Sequence, residues 1–507
     1  MDQKSKLLFF LKQPAFIIIA GYLYIISTIQ FGFNPYDSGI ILTGGMRILN
    51  GELPYRDFFT MYAPGQFYLD ALIQLLSREV ILIRFLLSLF QLGILIQISK
   101  ISRFLFEDKY HLYSVLMSSL WLGSMELYNR GIIISIFLVL LLIRNIITKE
   151  NEEQNYYSLG FILSLITFFR HDIGLLSILF FNIYFIFSNK TQISKYLNLL
   201  LKLLVGFSPL ILFVIYLGIE SGFEELYLNL IDIPKNVFPK YRSMSFPNPF
   251  ESFSLLKLIK NILHSLSFYI PFVTIILFII KYFKTKSLKN HDIILMIGIL
   301  IFLNQMFTRS DLEHALPAVL LSSISYFYLL KEIINFKKII LIGILIFLPN
   351  IVAKKVKIVK NIMPEFKVSQ IEGLKNIYLN IEYDQDLSNT IDYIKNNTNA
   401  NDKIFVGLDR HDITLINESS FYYLTNRMPS TKYHELHPGV TTIHSNQINI
   451  INEIEKNKVK YIISTENPNS DEYIPDDGKI LDIYIDKNFK LKRQFGMFRI
   501  LKKIISQ

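Results

Sequence analysis

The sequence predicts a polytopic α-helical membrane protein of about eleven transmembrane helices with a small C-terminal α/β domain on the extracytoplasmic side. Three observations predict it. The composition is too apolar for a soluble surface, apolar runs of bilayer length recur as far as Ile351, and polar residues take over after that point.

Hydrophobic residues make up 51% of the 507 and aromatic residues 14%, with a mean hydropathy of +0.36. A bilayer has to cover part of such a surface. One tryptophan against 42 Phe and 29 Tyr assigns interfacial anchoring mainly to tyrosine. With no cysteine, disulfides, thiolate metal sites and cysteine nucleophiles are excluded. The net charge of +10 is scattered over many short segments, so it reads as membrane topology and not as a nucleic-acid footprint.

The apolar runs are Phe9 to Phe31, Val80 to Ile98, Leu112 to Leu127, Ile132 to Ile147, Tyr157 to Phe169, Ile173 to Phe187, Leu199 to Leu217, Leu266 to Phe283, Ile293 to Phe307, Ala315 to Leu330 and Ile339 to Ile351. The first lacks a small-residue cleavage pattern and is expected to stay as a helix. Basic residues collect on one side of this zigzag: Lys4, Lys6, Lys12; Lys100, Arg103, Lys109; Arg144, Lys149; Lys190, Lys195; Lys281, Lys284, Lys286, Lys289; Lys331, Lys337, Lys338. That side is expected to be cytoplasmic, in a cell inner (plasma) membrane. The other side carries short turns with Arg130, Arg170 and Arg309 and two long loops, Gly32 to Glu79 and Glu220 to Lys257, and an odd span count puts the C-terminus there too. Lys354, Lys355, Lys357 and Lys360 run against this charge rule. The expected domains are 1–352, membrane-embedded and catalytic, and 353–507, extracytoplasmic α/β.

The first long loop holds the densest polar chemistry. It reads Phe33-Asn34-Pro35-Tyr36-Asp37-Ser38-Gly39, then Ile40 to Leu49 with Ile41, Leu42, Gly45, Ile48 and Leu49 on one face, then Gly51-Glu52-Leu53-Pro54-Tyr55-Arg56-Asp57 and Tyr62-Ala63-Pro64-Gly65. The periodicity predicts a helix lying along the membrane surface with Asp37 near its N-terminus. Asp37 can be a simple helix cap there, or a carboxylate placed to take a proton.

This order, followed by a helix entered through Arg84, resembles the GT-C glycosyltransferases, and within them the bacterial relatives of protein O-mannosyltransferases and the lipid A aminoarabinose transferase. A second match is Arg170-His171-Asp172-Ile173-Gly174-Leu175. The resemblance implies transfer of a sugar, hexosyl or pentosyl, from a polyprenyl-phosphate carrier to a lipid or glycan acceptor at the outer face. It implies Asp37 as catalytic carboxylate and Asp172 as a second acidic residue, with a divalent cation as an open option and no other cofactor. Ser38 stands where protein O-mannosyltransferases have a second acid, which argues against a protein acceptor of that type.

Chemistry supports these residue types independently. An acceptor hydroxyl needs a base, and a single base suffices if configuration inverts. The departing lipid phosphate keeps its charge and needs a cation, for which arginine offers a bidentate fork. Lys240, Arg242, Arg309 and Arg56 are the candidates, each with a lipid-headgroup contact as the plainer alternative. Asp57, Tyr62, Arg84, Arg170, His171 and His314 complete the expected substrate-binding set. Arg84, inside a helix, has to snorkel or find a partner such as Glu79. No metal-ligand residue is assigned, since Asp311, Glu313 and His314 are ordinary helix-start residues and His434 and His437 flank Glu435 in a loop.

The four prolines between Ile233 and Pro249 suggest a semi-rigid cover or a plain connector. After Ile351, a helix Leu387 to Asn396, a strand Lys403 to Gly407, a helix Ser445 to Lys456, and strands Lys460 to Ser464, Ile480 to Tyr484 and Gly496 to Leu501 are expected. Tyr422 to Pro429 resembles a tract found in outer domains of these transferases. An O-antigen ligase or polymerase and a non-enzymatic transporter are the alternatives; the second would show paired broken helices or an internal repeat.

Overall fold

The computed structural model describes residues 14–106, 108–125, 127, 130–148, 155–188, 193–251, 254–331, 334–360, 363–412, 417–466 and 479–504. Phe9 at the start of the first apolar run, and Lys4, Lys6, Lys12, Lys149 and Lys190, lie outside them.

Every apolar run named above overlaps a helix. In chain order these are α1 (Pro14–Ile26), α4 (Val80–Leu105), α5 (Asp108–Leu122), α6 (Arg130–Thr148), α7 (Tyr156–Phe169), α8 (His171–Ser188), α9 (Ile193–Ser221), α12 (Leu255–Thr285), α13 (Asn290–Thr308), α14 (Leu312–Leu330) and α15 (Phe336–Val359). Among the described residues six stretches are long and apolar enough to cross a membrane, within α4, α6, α9, α12, α13 and α15, and α1, α7 and α8 carry shorter apolar stretches. The α14 helix is buried from Ala315 to Leu330, so protein and not lipid surrounds it. The first long loop contributes α2 (Asp37–Leu49) and α3 (Gly65–Gln74).

The chain divides into two compact units. One comprises residues 1–29, 84–213 and 243–359, the helical body. The other joins 30–83 and 214–242 to 360–507. The first loop thus shares a unit with the C-terminal residues.

In the helical body two of the awkward lysines beside the last span, Lys354 and Lys355, have partners. Lys354 pairs with Glu313, and Lys355 donates to Thr28 Oγ1 at 2.9 Å and sits over the Tyr24 ring. Arg84 donates from Nη1 to the Ile29 carbonyl at 2.9 Å. Glu79, expected as its partner, instead accepts from the Gly373 and Lys375 N–H groups within the second unit.

The second unit is built on a four-stranded sheet in the order β3-β4-β6-β5 (Phe405–Leu408, Tyr461–Thr465, Phe498–Lys503, Phe489–Phe495), parallel between β3 and β4 and antiparallel elsewhere. Both parallel strands are fully buried, as apolar runs of that length require. A short antiparallel pair, β1 (Phe366–Val368) with β2 (Tyr378–Asn380), lies outside that sheet. The helices α16 (Ile381–Asn397), α17 (Ser420–Thr425), α18 (His444–Lys456) and α19 (Ile480–Asn488) complete it. Phe59, Met61 and Ile233 join Phe405, Ile450, Ile462 and Leu501 in one core.

Three expectations are corrected. Ile480 to Tyr484 is helical, because burial recurs at Leu481 and Ile485, four apart, while Ile483 points outward. The proline-bearing connector is mostly helical: α10 (Phe223–Tyr227), a π-helical stretch Leu228–Val237 around Pro234, and α11 (Phe238–Arg242). The α2 helix does not lie with one face open, since Ser38 to Arg47 are all buried. Its second face carries Gly39 and Thr43, which meet the Ser419 and Ser420 backbone, while Gly44 packs on the Phe67 ring, so both sides are covered by protein.

Candidate functional site

The Asn34-Pro35-Tyr36-Asp37 stretch folds as a turn stapled by Asn34. Its Oδ1 accepts the Tyr36 and Asp37 N–H groups at 3.1 and 2.9 Å, and its Nδ2 donates to Asp37 Oδ2 at 2.9 Å. Asn34 therefore does the capping, and the half-buried Asp37 carboxylate is released from it. The positive end of the α2 dipole favours a negative charge at this first helical position.

The helix that carries Asp37 is fixed along its length. A Cβ at Gly39 would stand 2.3 Å from the Ser420 nitrogen, so only glycine lets α17 approach this closely. Ser420 N–H donates to the Pro35 carbonyl at 3.2 Å and Thr43 Oγ1 to the Ser419 carbonyl at 2.9 Å. Farther on, Arg47 pairs with Glu52, donates to the Thr431 and Asp57 carbonyls at 3.0 and 2.8 Å, and lies over the Phe58 ring.

Beside Asp37, residues Phe33, Pro35 and Tyr36 line a cavity of about 270 Å³ closed by Tyr378, Tyr383 and Glu418. Burial pushes the Glu418 carboxyl up to about 8, and Tyr383 donates to its Oε2 at 3.3 Å. Tyr36 is raised to about 12 by burial and by the nearby Glu418. Nothing in the sequence flagged Glu418. Asn34 was readable, because asparagine before proline is a strong turn signal.

The other expected acid, Asp172, lies in the helical body at the start of α8, directly after the extended Arg170 that ends α7. Arg170 holds it through both oxygens, Nε to Oδ1 at 3.0 Å and Nη2 to Oδ2 at 2.8 Å. Gln305 of α13 binds both partners, accepting from Arg170 at 2.6 Å and donating to Asp172 Oδ2. His171 is the first residue of α8. Also in this body, Asp311 caps α14 by accepting the His314 N–H at 3.0 Å, while Arg309 Nε and His314 Nδ1 each bond its carboxylate at 2.8 Å.

In the second unit Arg56 is bracketed by Asp57, at 2.8 Å, and Glu220, at 2.8 Å. Asp57 also accepts the Leu53 N–H at 2.7 Å. Tyr62 is half-buried, and its carbonyl accepts from Tyr55 at 2.8 Å. Lys240 and Arg242 belong to α11, where Lys240 is exposed and has no ion pair among the described residues. The Tyr422 to Pro429 tract is structural: Tyr422 OH accepts the Val406 N–H at 2.8 Å, and Arg427 donates to the Thr398 carbonyl at 2.9 Å.

Within the described residues no group of three His, Asp or Glu side chains is arranged to hold a metal. Both Asp172 oxygens are engaged by a guanidinium, His434 bonds the Ile40 carbonyl, and His437 bonds Glu435 at 2.9 Å. These residues do not fit a divalent site.

No family model and no curated protein matches the chain. Solved structures do. The Archaeoglobus fulgidus oligosaccharyltransferase AglB in complex with an inhibitory peptide and a dolichol-phosphate aligns at TM-score 0.54 and 11% identity, over 89% of this chain and 69% of that one. The apo form of the A. fulgidus oligosaccharyltransferase aligns at 0.52 and 12%, over 89% and 69%. Its complex with Zn and sulfate aligns at 0.51 and 12%, over 89% and 68%. At such identity the likeness shows the fold, and the fold is GT-C.

Proposed function

We propose that this GT-C-fold chain is a membrane glycosyltransferase that moves a hexosyl or pentosyl unit from a polyprenyl-phosphate carrier to a lipid or glycan acceptor, with inversion. The observation that carries the reading is Asp37: a half-buried carboxylate on a rigid helix start, with capping delegated to Asn34. A neighbour solved with an inhibitory peptide and a dolichol-phosphate supports a lipid-linked donor. We place the work at the extracytoplasmic side of the plasma membrane, with residues 353–507 and the segments 30–83 and 214–242 that fold with 360–507 on that side, and the apolar helices of 1–352 embedded.

Asp37 takes the acceptor hydroxyl proton as the oxygen attacks the anomeric carbon and the bond to phosphate breaks. The lipid phosphate departs as an anion, so no general acid is needed. Its charge falls to Lys240 of α11, which is exposed and has no ion pair among the described residues, because Arg56, Arg170 and Arg309 already bind carboxylates; Arg242 lies on the same helix. Asp172, locked by Arg170, is a positioning group that holds the α7–α8 turn against α13. Arg84, His171 and His314 support helix ends, and Asp57 and Tyr62 shape the first loop.

The test is incubation of purified protein with a panel of radiolabelled polyprenyl-phosphate sugars and extracted envelope lipids and glycans. Labelled acceptor is the expected product. Uptake of a solute into proteoliposomes with no transfer from any donor would refute the reading in favour of a transporter.

A further inference from the structure

The second unit contains another cavity, of about 360 Å³, that the transfer chemistry does not use. That volume lies in the range of small-molecule sites, roughly 300–1,000 Å³. One wall is α18, which presents Asn446, Asn449 and Asn452. Spacing of three places these amides on one helix face over about 9 Å of rise. The opposite wall is the π-helical stretch, with Asn229.

Asn229 is 1% exposed. Its Nδ2 donates to the Glu225 carbonyl at 2.7 Å and to Glu225 Oε2 at 3.2 Å, whereas its Oδ1 is buried with no hydrogen-bond partner. A buried carbonyl lacking a donor is expensive, and Asn229 lines this cavity, so its unpaired carbonyl is a candidate acceptor for a ligand donor that enters it. Asn446 is oriented by its bond to the Val440 carbonyl at 2.9 Å, while Asn449 and Asn452 are more open.

The remaining lining defines the ligand class. Glu225 and Glu453 face one cation, Lys432, whose Nζ bonds Glu225 at 3.0 Å and whose N–H bonds Glu453 at 2.9 Å. The excess negative charge disfavours phosphate, nucleotide and other anions. Phe59 and Tyr433, with ring centroids 5.6 Å apart, supply an apolar face. Amides that both donate and accept, carboxylates that only accept, and an aromatic surface together match a neutral pyranose, whose hydroxyls alternate roles and whose C–H face stacks on rings.

We propose that this cavity is a binding site for a neutral sugar residue, separate from Asp37. Its use in gripping the acceptor or donor glycan rests on the transferase reading, but its ability to bind a sugar does not. Neutral methyl glycosides of hexoses, pentoses and N-acetylhexosamines are added to the full-length protein in detergent, and binding is read by saturation-transfer NMR. At least one glycoside is expected to show saturation, weakened tenfold or more in N449A/N452A at unchanged Tm and kept in D37N. Absence of saturation from every glycoside, or equal binding by N449A/N452A, overturns the proposal. Transfer lost in D37N with glycoside binding retained separates failure at this cavity from failure of the catalytic reading.

Discussion

Asp37, Asn34 and Glu418 show how much of the proposed chemistry rests on single side chains. Replacing Asn34 by alanine removes acceptors for two N–H groups and the donor that orients Asp37. N34A is expected to lower stability by about 1 kcal/mol and to reduce turnover as well, measured by thermal melts beside the transfer assay. Glu418 gives a pH signature. Its folded value near 8 lies above the ordinary carboxyl range, so between about pH 4.5 and 8 the unfolded chain has lost a proton that the native state retains. Stability therefore falls as pH rises through that window, by up to ~1.4 kcal/mol per unit, and levels off above it. E418Q is expected to flatten the slope; an unaltered slope would show that this residue is not its source. Asp172 contrasts with Asp37. Removing its charge leaves Arg170 without its carboxylate, with Gln305 the neutral acceptor that remains, so D172N is expected to lose about 3 kcal/mol of stability along with activity, whereas D37N loses activity alone.

Helices were readable where hydrophobic length decides, as in the apolar runs, or where the helical period is plain, as with Ile450 and Ile454 four apart in the polar helix at Ser445 to Lys456. Elements whose partners lie far along the chain were not. The Ile41 and Leu42 face of α2 resembled a membrane-surface helix, because nothing local reveals that Gly39 meets the Ser420 backbone nearly four hundred residues later. Ile480 to Tyr484 looked like a strand because five residues are too few to separate a period of two from one of 3.6. A valine at Gly39 would drive its side chain into the α17 backbone. G39V is expected to cost about 1–3 kcal/mol by overpacking, with Ala at the same position milder, which urea or thermal unfolding checks.

For the whole molecule, the grouping of residues 30–83 and 214–242 with 360–507 makes the first loop dependent on the C-terminal domain for its core. Phe59 and Met61 pack with Phe405 and Ile462, and the turn bearing Asp37 is tied to Ser420. Truncation after residue 359 is thus expected to unfold the first loop and abolish transfer, seen as new proteolytic cleavage between residues 30 and 83. The helical body and the small C-terminal sheet were legible because hydrophobic run length and local periodicity encode them. The neutral-sugar cavity was not, because Asn229 and Asn449 are unremarkable residues until folding sets them around one space. The central claim is that the Asp37 carboxylate removes the acceptor proton. The direct measurement is turnover of full-length D37N in liposomes with a labelled polyprenyl-phosphate sugar, beside its melting temperature. A fall of about 10²–10⁴ at unchanged melting temperature is predicted; wild-type turnover by the folded variant would contradict it.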